Sequence, residues 1–284
     1  MRFLHHLLVH RAIPLTAIIA AGWFTAGQAA GQLVYPQGIA VRGDDDIFVA
    51  DLETHGIWKI EGGSCTSYYQ GTKQFRTPFN RPRALAVDGK GHLLAGCSAT
   101  REIYRFDSDN QPQPLTSGAV GNPMGIAVNQ AGDILVSDQE LQRIWKVPAS
   151  GGAAETYVEV PAPRGICIDG EERLWVVSGR EDKGSLVRVS ADKQIEVIVS
   201  GREFKFPLNV AVDSEGAAYV SDGYAATVWK IEPGGKPVAW AQGDPLKSPT
   251  GLAWHGKALL VTDPLAKAIF RIDAEGIIAA LELQ

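Results

Sequence analysis

The chain has 284 residues, 45% hydrophobic and 21% charged, which is ordinary for a folded domain with enough apolar material for a sizeable core. Its formal net charge of −5 excludes the basic footprint of a general nucleic-acid binder. Three cysteines, Cys65, Cys97 and Cys167, exclude a complete disulfide framework, and no metal-type Cys/His spacing occurs.

The chain opens with Arg2 and Arg11, runs apolar from Ala12 to Phe24, and then turns to small residues at Ala26, Gly27, Ala29 and Ala30. That order of charged, apolar and small residues predicts a secretory signal peptide over residues 1–29, cut after Ala29. The apolar run is short against the roughly 20 residues a spanning helix needs. The expected product is one domain over residues 30–284, secreted or periplasmic, and held at a membrane only if the first segment stays uncleaved.

From residue 33 onward the sequence repeats. Its first mark is Pro, any residue, and a short apolar strand. It starts at Pro36, Pro82, Pro123, Pro163, Pro207 and Pro249, and reads Gly38-Ile39-Ala40-Val41 in the first unit and Gly125-Ile126-Ala127-Val128 in the third. The second mark is a strand usually closed by Asp, as in Ile47-Phe48-Val49-Ala50-Asp51; Asp138, Asp222 and Asp263 recur there, while Cys97 and Ser178 replace it twice. The third alternates apolar, bulky, basic, apolar, as in Ile57-Trp58-Lys59-Ile60 and Ile144-Trp145-Lys146-Val147. A more variable fourth strand follows, for example Thr156-Tyr157-Val158.

Four strands in about 42 residues is the period of a propeller blade. The expected fold is therefore all-β: a six-bladed β-propeller with four antiparallel strands per blade. The first strand of each unit, apolar throughout, is expected to be buried on both faces near the axis, and the alternating third strand to lie further out. Ile277 to Leu283 can supply the sixth blade's outer strand.

These marks resemble the NHL-repeat propellers, in the broader group that includes gluconolactonase and regucalcin, over roughly Leu33 to Leu283. This architecture hosts hydrolases, lyases and plain binding modules. Gluconolactonase-like enzymes hold a divalent cation on the axis with a Glu, two Asn and an Asp; the equivalent positions here are Gln37, Arg83, Met124 and Arg164. A hard cation needs six to eight oxygen ligands. This set does not offer them, so no metal or other cofactor is expected. The peptide-amidating lyases of the same architecture use a His-rich metal site. Here His92 and His255 fall in turns on the face opposite to His55, so each reads as a surface residue.

The repeated Asp residues and tryptophans (Trp58, Trp145, Trp229) read as architecture, because a side chain shared by several blades serves the blade. The basic ring, Lys59 to Arg271, reads the same way. Candidate ligand-binding residues are the polar departures from the repeat at one face: Gln37, Arg83, Arg164, Asn209 and Thr250 on inner strands, with Arg101, Arg180 and Tyr224 on neighbouring loops. Arg83 and Arg164 are expected to bind a small anion or to pair with an Asp such as Asp51, Asp138 or Asp222. The expected role is a binding or interaction module for a small anionic molecule or a protein partner. The alternative is a gluconolactonase- or regucalcin-like hydrolase or lyase with a rearranged site.

Overall fold

The computed structural model describes residues 33–180 and 186–284. Blade one comprises β1 (Pro36–Arg42), β2 (Asp46–Asp51), β3 (Gly56–Glu61) and β4 (Ser64–Gln70). Blade two comprises β5 (Pro82–Val87), β6 (Leu93–Cys97), β7 (Glu102–Phe106) and β8 (Pro112–Pro114). Blade three has β9 (Pro123–Val128), β10 (Ile134–Asp138), β11 (Arg143–Val147) and β12 (Glu155–Glu159). Blade four has β13 (Pro163–Ile168), β14 (Leu174–Ser178), β15 (Leu186–Val189) and β16 (Ile195–Val199). Blade five has β17 (Pro207–Val212), β18 (Ala218–Asp222), β19 (Thr227–Ile231) and β20 (Val238–Gln242). Blade six has β21 (Leu252–His255), β22 (Ala258–Asp263), β23 (Ala268–Ile272) and β24 (Ile278–Ala280).

Each blade is a four-stranded antiparallel sheet paired in sequence order. The innermost strands touch in the order β1, β5, β9, β13, β17, β21 and back to β1, so the six sheets close into a propeller. Six apolar clusters fill it, and each draws its side chains from two neighbouring blades. In the cluster between blades one and two, Phe48, Phe79 and Phe106 are fully buried, and Phe79 stacks on Phe106 with ring centroids 5.4 Å apart. Blade six meets blade one through Leu260 and Ile269 against Ile39 and Val49. The outer strand of blade six comes from the C-terminal segment, as expected, and Gln284 then exchanges backbone hydrogen bonds with Gly63 and Cys65 of blade one.

The expectation for the first strands holds in their apolar stretch. Ile39 packs between blades six and one and Ala40 between blades one and two; Ala84 and Leu85, Ile126 and Ala127, and Val210 and Ala211 likewise divide between the clusters on either side of their blade. Further along these strands Val87, Val128, Ile168 and Val212 line an open channel. One expectation is corrected: His255 is the last residue of β21 rather than a turn residue, and its Nε2 meets the carbonyl of Asp44 at 2.5 Å.

The architectural readings of the repeated residues hold. Asp51 accepts Val34 and Tyr35 N–H at 2.7 and 2.9 Å on one oxygen, and Glu53 and Thr54 N–H at 3.1 and 3.0 Å on the other. Asp138, Asp222 and Asp263 clamp the same pair of loops in their blades, and all four are fully buried. Basic positions of the third strands pair with acidic neighbours at the start of the second strands: Lys59 with Asp46 at 2.8 Å, and Lys146 with Asp133, just before β10, at 2.7 Å.

Candidate functional site at the channel mouth

The register of each blade places one residue at a fixed point of the channel wall. In Pro-x-Gly the missing proline N–H and the following irregularity in pairing, seen at Pro36/Ile39, Pro82/Ala84 and Pro163/Ile166, interrupt the ladder at x. The x residue of every blade lines the channel: Gln37, Arg83, Met124, Arg164, Leu208 and Thr250. The channel holds about 730 Å³, within the roughly 300–1,000 Å³ of small-molecule sites.

Hydroxyls of the second strands tie this ring together. Ser221 donates to the Thr250 carbonyl at 2.6 Å and Thr262 to the Gln37 carbonyl at 2.6 Å, while Ser137 donates to the Arg164 carbonyl. Each bond crosses from one blade to the x residue of the next. The packing between inner strands is close enough that a Cβ on Gly38 would lie 2.1 Å from the Arg83 carbonyl oxygen.

The two arginines have neutral partners. Arg83 Nη1 donates to Gln37 Oε1 at 3.3 Å, and its buried Nε–H has no hydrogen-bond partner. Burial pulls this guanidinium below its ordinary pKa; nearby Arg81 adds to the effect and Tyr35 opposes it. Arg164 Nη1 donates to the Pro207 carbonyl at 2.6 Å, and its guanidinium carbon lies 4.0 Å from the centre of the Phe206 ring. Burial lowers Arg164 as well, with Tyr224 and Asp222 pulling the other way. Pairing with Asp51, Asp138 or Asp222 does not occur, because those carboxylates already hold backbone N–H groups. Among the described residues lining the channel there is no Asp, Glu, His or Lys, so Arg83 and Arg164 are its charged side chains.

Tyr224, in the β18–β19 loop, is 73% exposed and stacks on Phe206 with centroids 4.4 Å apart and planes 16° apart. Asn209 also lines the channel, but it stands at the Gly position of its repeat rather than at x. Its Oδ1 accepts the Val210 N–H at 2.8 Å and rests over Gly165, where a Cβ would come within 2.3 Å of it. Leu208 takes the x place in blade five. Thr250 uses its hydroxyl on the Ser248 carbonyl at 3.0 Å. Arg101 is outside the channel lining and grips Glu140 with one nitrogen at 2.8 and 2.9 Å. Arg180 is likewise outside the lining.

Sequence reasoning missed Tyr35, Phe206 and Ser248, which line the mouth from the position just before each Pro, and Leu265, from the β22–β23 loop. The repeat register would have found the first three. Apolar character hid Phe206 and Leu265, since a search for polar departures passes over them.

The donor set does not suit a hard cation. Met124 offers a thioether, two of the four positions are cationic, and Gln37 Oε1 already accepts from Arg83. Among the described residues no three His, Cys, Asp or Glu side chains gather. Cys167 lines the channel as a free thiol whose pKa burial pushes well up, with Asp169 adding to it.

No family model matches the chain. Two curated relatives from Xenopus laevis, peptidyl-glycine alpha-amidating monooxygenases B and A, are 23% and 24% identical over 232 residues, which take in 70% of this chain. Those residues are 26% and 24% of the relatives, so the chain spans about a quarter of their length. Among solved structures, virginiamycin B lyase from Staphylococcus aureus superposes with a TM-score of 0.69 at 19% identity, covering 90% of this chain and 87% of that one. A gluconolactonase from Xanthomonas campestris gives 0.70 at 16% identity, covering 83% and 85%. A chain of the nidogen–laminin complex gives 0.69 at 18%, covering 86% and 92%. These likenesses carry the six-bladed fold expected from the repeats; at such identities they carry the fold alone.

Proposed function

We propose that this protein is an exported binding propeller that takes a small anionic molecule at its channel mouth, held by Arg83 and Arg164. The observation that supports it is the lining: two part-buried guanidinium groups with neutral partners, and no carboxylate among the described lining residues. Charges taken out of water without a counter-charge cost several kcal/mol. A carboxylate or phosphate would offset that cost, and the guanidinium fork can hold either through two donors. Gln37, Asn209 and Tyr224 complete the proposed ligand-binding set around the mouth.

Calorimetry against small carboxylates, sugar acids and phosphates tests the reading. Binding by at least one class, lost in Arg83→Ala/Arg164→Ala while circular dichroism and melting stay those of a folded propeller, is the expected result. No binding from the whole panel would overturn it. Export belongs to the same proposal and rests on residues 1–29, which lie outside the described residues; mass spectrometry of the native protein should find an N-terminus near Ala30, and a soluble form retaining Met1 would overturn that part.

A second reading has a specific support: two of the similar structures are named a lyase and a gluconolactonase. It makes the chain a hydrolase or lyase with a rearranged site. Turnover of a lactone, abolished by the Arg83/Arg164 double substitution, would favour it over simple binding.

A further inference from the structure

The mouth is polarised across the ring. Arg83 stands on blade two, and blade five, diametrically opposite in a ring of six, carries Leu208, Phe206 and Tyr224. Leu265 of neighbouring blade six continues this apolar side and is 60% exposed. Tyr224, at 73% exposed, extends the stacked Phe206 ring out to solvent. Arg83 therefore faces an aromatic and aliphatic wall, against which Arg164 is laid.

The two arginines are also unequal. Arg164 already lies over the Phe206 ring and donates to the Pro207 carbonyl at 2.6 Å. Arg83 has one long hydrogen bond at 3.3 Å and a buried Nε–H with no partner. A single long bond leaves the terminal nitrogens of Arg83 the less committed of the two guanidinium forks. The anion's place is thus Arg83.

Polar side chains gather at the mouth, where Tyr35, Gln37, Gln139, Asn209, Tyr224, Ser248 and Thr250 stand, and are absent further in. The Thr250 hydroxyl and the Asn209 carbonyl are engaged within the protein. Deeper in the channel the wall is Val41, Val87, Val128, Ile168, Val212 and Trp254. Sugar hydroxyls set against such a wall would lose their hydrogen bonds to water without replacement. An aromatic ring meets no such penalty and can stack on the outward face of Tyr224, while the two faces of Phe206 already carry Tyr224 and Arg164.

We infer that the ligand is an aromatic monocarboxylate, with its carboxylate on Arg83 and its ring against the Phe206, Leu208, Tyr224 and Leu265 wall. The inference rests on the anion-binding reading above and narrows it to one ligand class.

The test is calorimetry with three probes: 3-phenylpropionate, its neutral amide, and gluconate. The acid is expected to bind about tenfold or more tighter than gluconate and than the amide. Tyr224→Ser changes an exposed loop residue and leaves the fold intact; it is expected to weaken 3-phenylpropionate by about tenfold, the scale of one aromatic contact. Gluconate binding as tightly as 3-phenylpropionate, or equal affinity for the acid in wild type and Tyr224→Ser, overturns the aromatic assignment while leaving anion binding in place. The amide binding as tightly as the acid, or no binding by either anion, overturns both.

Discussion

The carboxylate of Asp138 accepts the indole N–H of Trp145 at 2.8 Å, and Asp222 accepts that of Trp229, at the same repeat positions, at 3.3 Å. In blade one the indole of Trp58 turns to the Thr54 hydroxyl at 2.9 Å instead, while Asp51 is filled by four backbone N–H groups. The recurrent Asp is a loop clamp first and a tryptophan anchor second. Where the Asp is missing in blade two, Glu102 on the third strand performs a related task, accepting Thr116 N–H at 2.6 Å and Gly118 N–H at 2.8 Å.

Asp138→Asn turns one acceptor oxygen into a donor NH2, which faces either the Gly121 N–H and Trp145 indole N–H or, flipped, the Asn122, Glu140 and Leu141 N–H groups. Orphaned buried donors cost about 1–3 kcal/mol each before relaxation, so a net loss of about 2–4 kcal/mol is expected in urea unfolding. Burial raises the Asp138 carboxyl, but the hydrogen bonds from Asn122, Trp145, Gly121 and Leu141 outweigh it and leave the pKa below its ordinary value. A lowered carboxyl stabilises the fold above its unfolded pKa, near 4, and that stabilisation is lost as pH falls through the folded value. The gap between wild type and Asp138→Asn should therefore be full at pH 6 and shrink below about pH 4; a gap that widens with acid would contradict this account.

Thr262 joins the last blade to the first. Its Oγ1 accepts the Gly251 N–H at 2.8 Å and donates to the Gln37 carbonyl at 2.6 Å. Thr262→Val keeps the shape and removes both bonds, with an expected loss of about 1–3 kcal/mol. Hydrogen exchange should show the change concentrated in β1 and β21. Uniform loosening of all six blades would mean that ring closure is not where the bond acts.

Gly38→Ala should be severe. Its Cβ would sit 2.1 Å from the Arg83 carbonyl oxygen, so β1 and β5 must separate. We expect a loss of about 2 kcal/mol or more in stability together with weaker anion binding, because Arg83 moves with its backbone. Gly170→Ala, which meets nothing within 4 Å, is the control and should stay within about 0.5 kcal/mol of wild type.

Anion affinity should be flat between pH 6 and 9. Among the described lining residues no His, Asp or Glu is available to titrate, and the Cys167 thiol is held up by burial. Affinity for 3-phenylpropionate should fall only as the ligand itself is protonated, below about pH 4.5. A mid-point near pH 6.5 in calorimetric titrations would contradict this account of the lining.

The sequence alone determined the fold class, the blade boundaries and the blade order. Each strand repeats a pattern of its own every blade, and the Pro, Asp and Ile-Trp-Lys-Ile marks are local signals that survive in one dimension. It also determined which column of the repeat faces the channel, since Gln37, Arg83, Met124, Arg164 and Thr250 follow the same proline. Tertiary structure alone decided what those side chains meet. Gln37 and Arg83 are neighbours only because blades one and two pack side by side, and Arg164 meets Phe206 only across a blade boundary. It decided that the buried Asp residues are spent on backbone N–H groups and cannot neutralise the arginines, and that Asn209, though it lines the channel, packs over Gly165 while Leu208 takes the place after the proline. The physical reason is that a repeat encodes what each blade does alike, whereas the charge balance and shape of the channel arise from unlike side chains brought together when the ring closes.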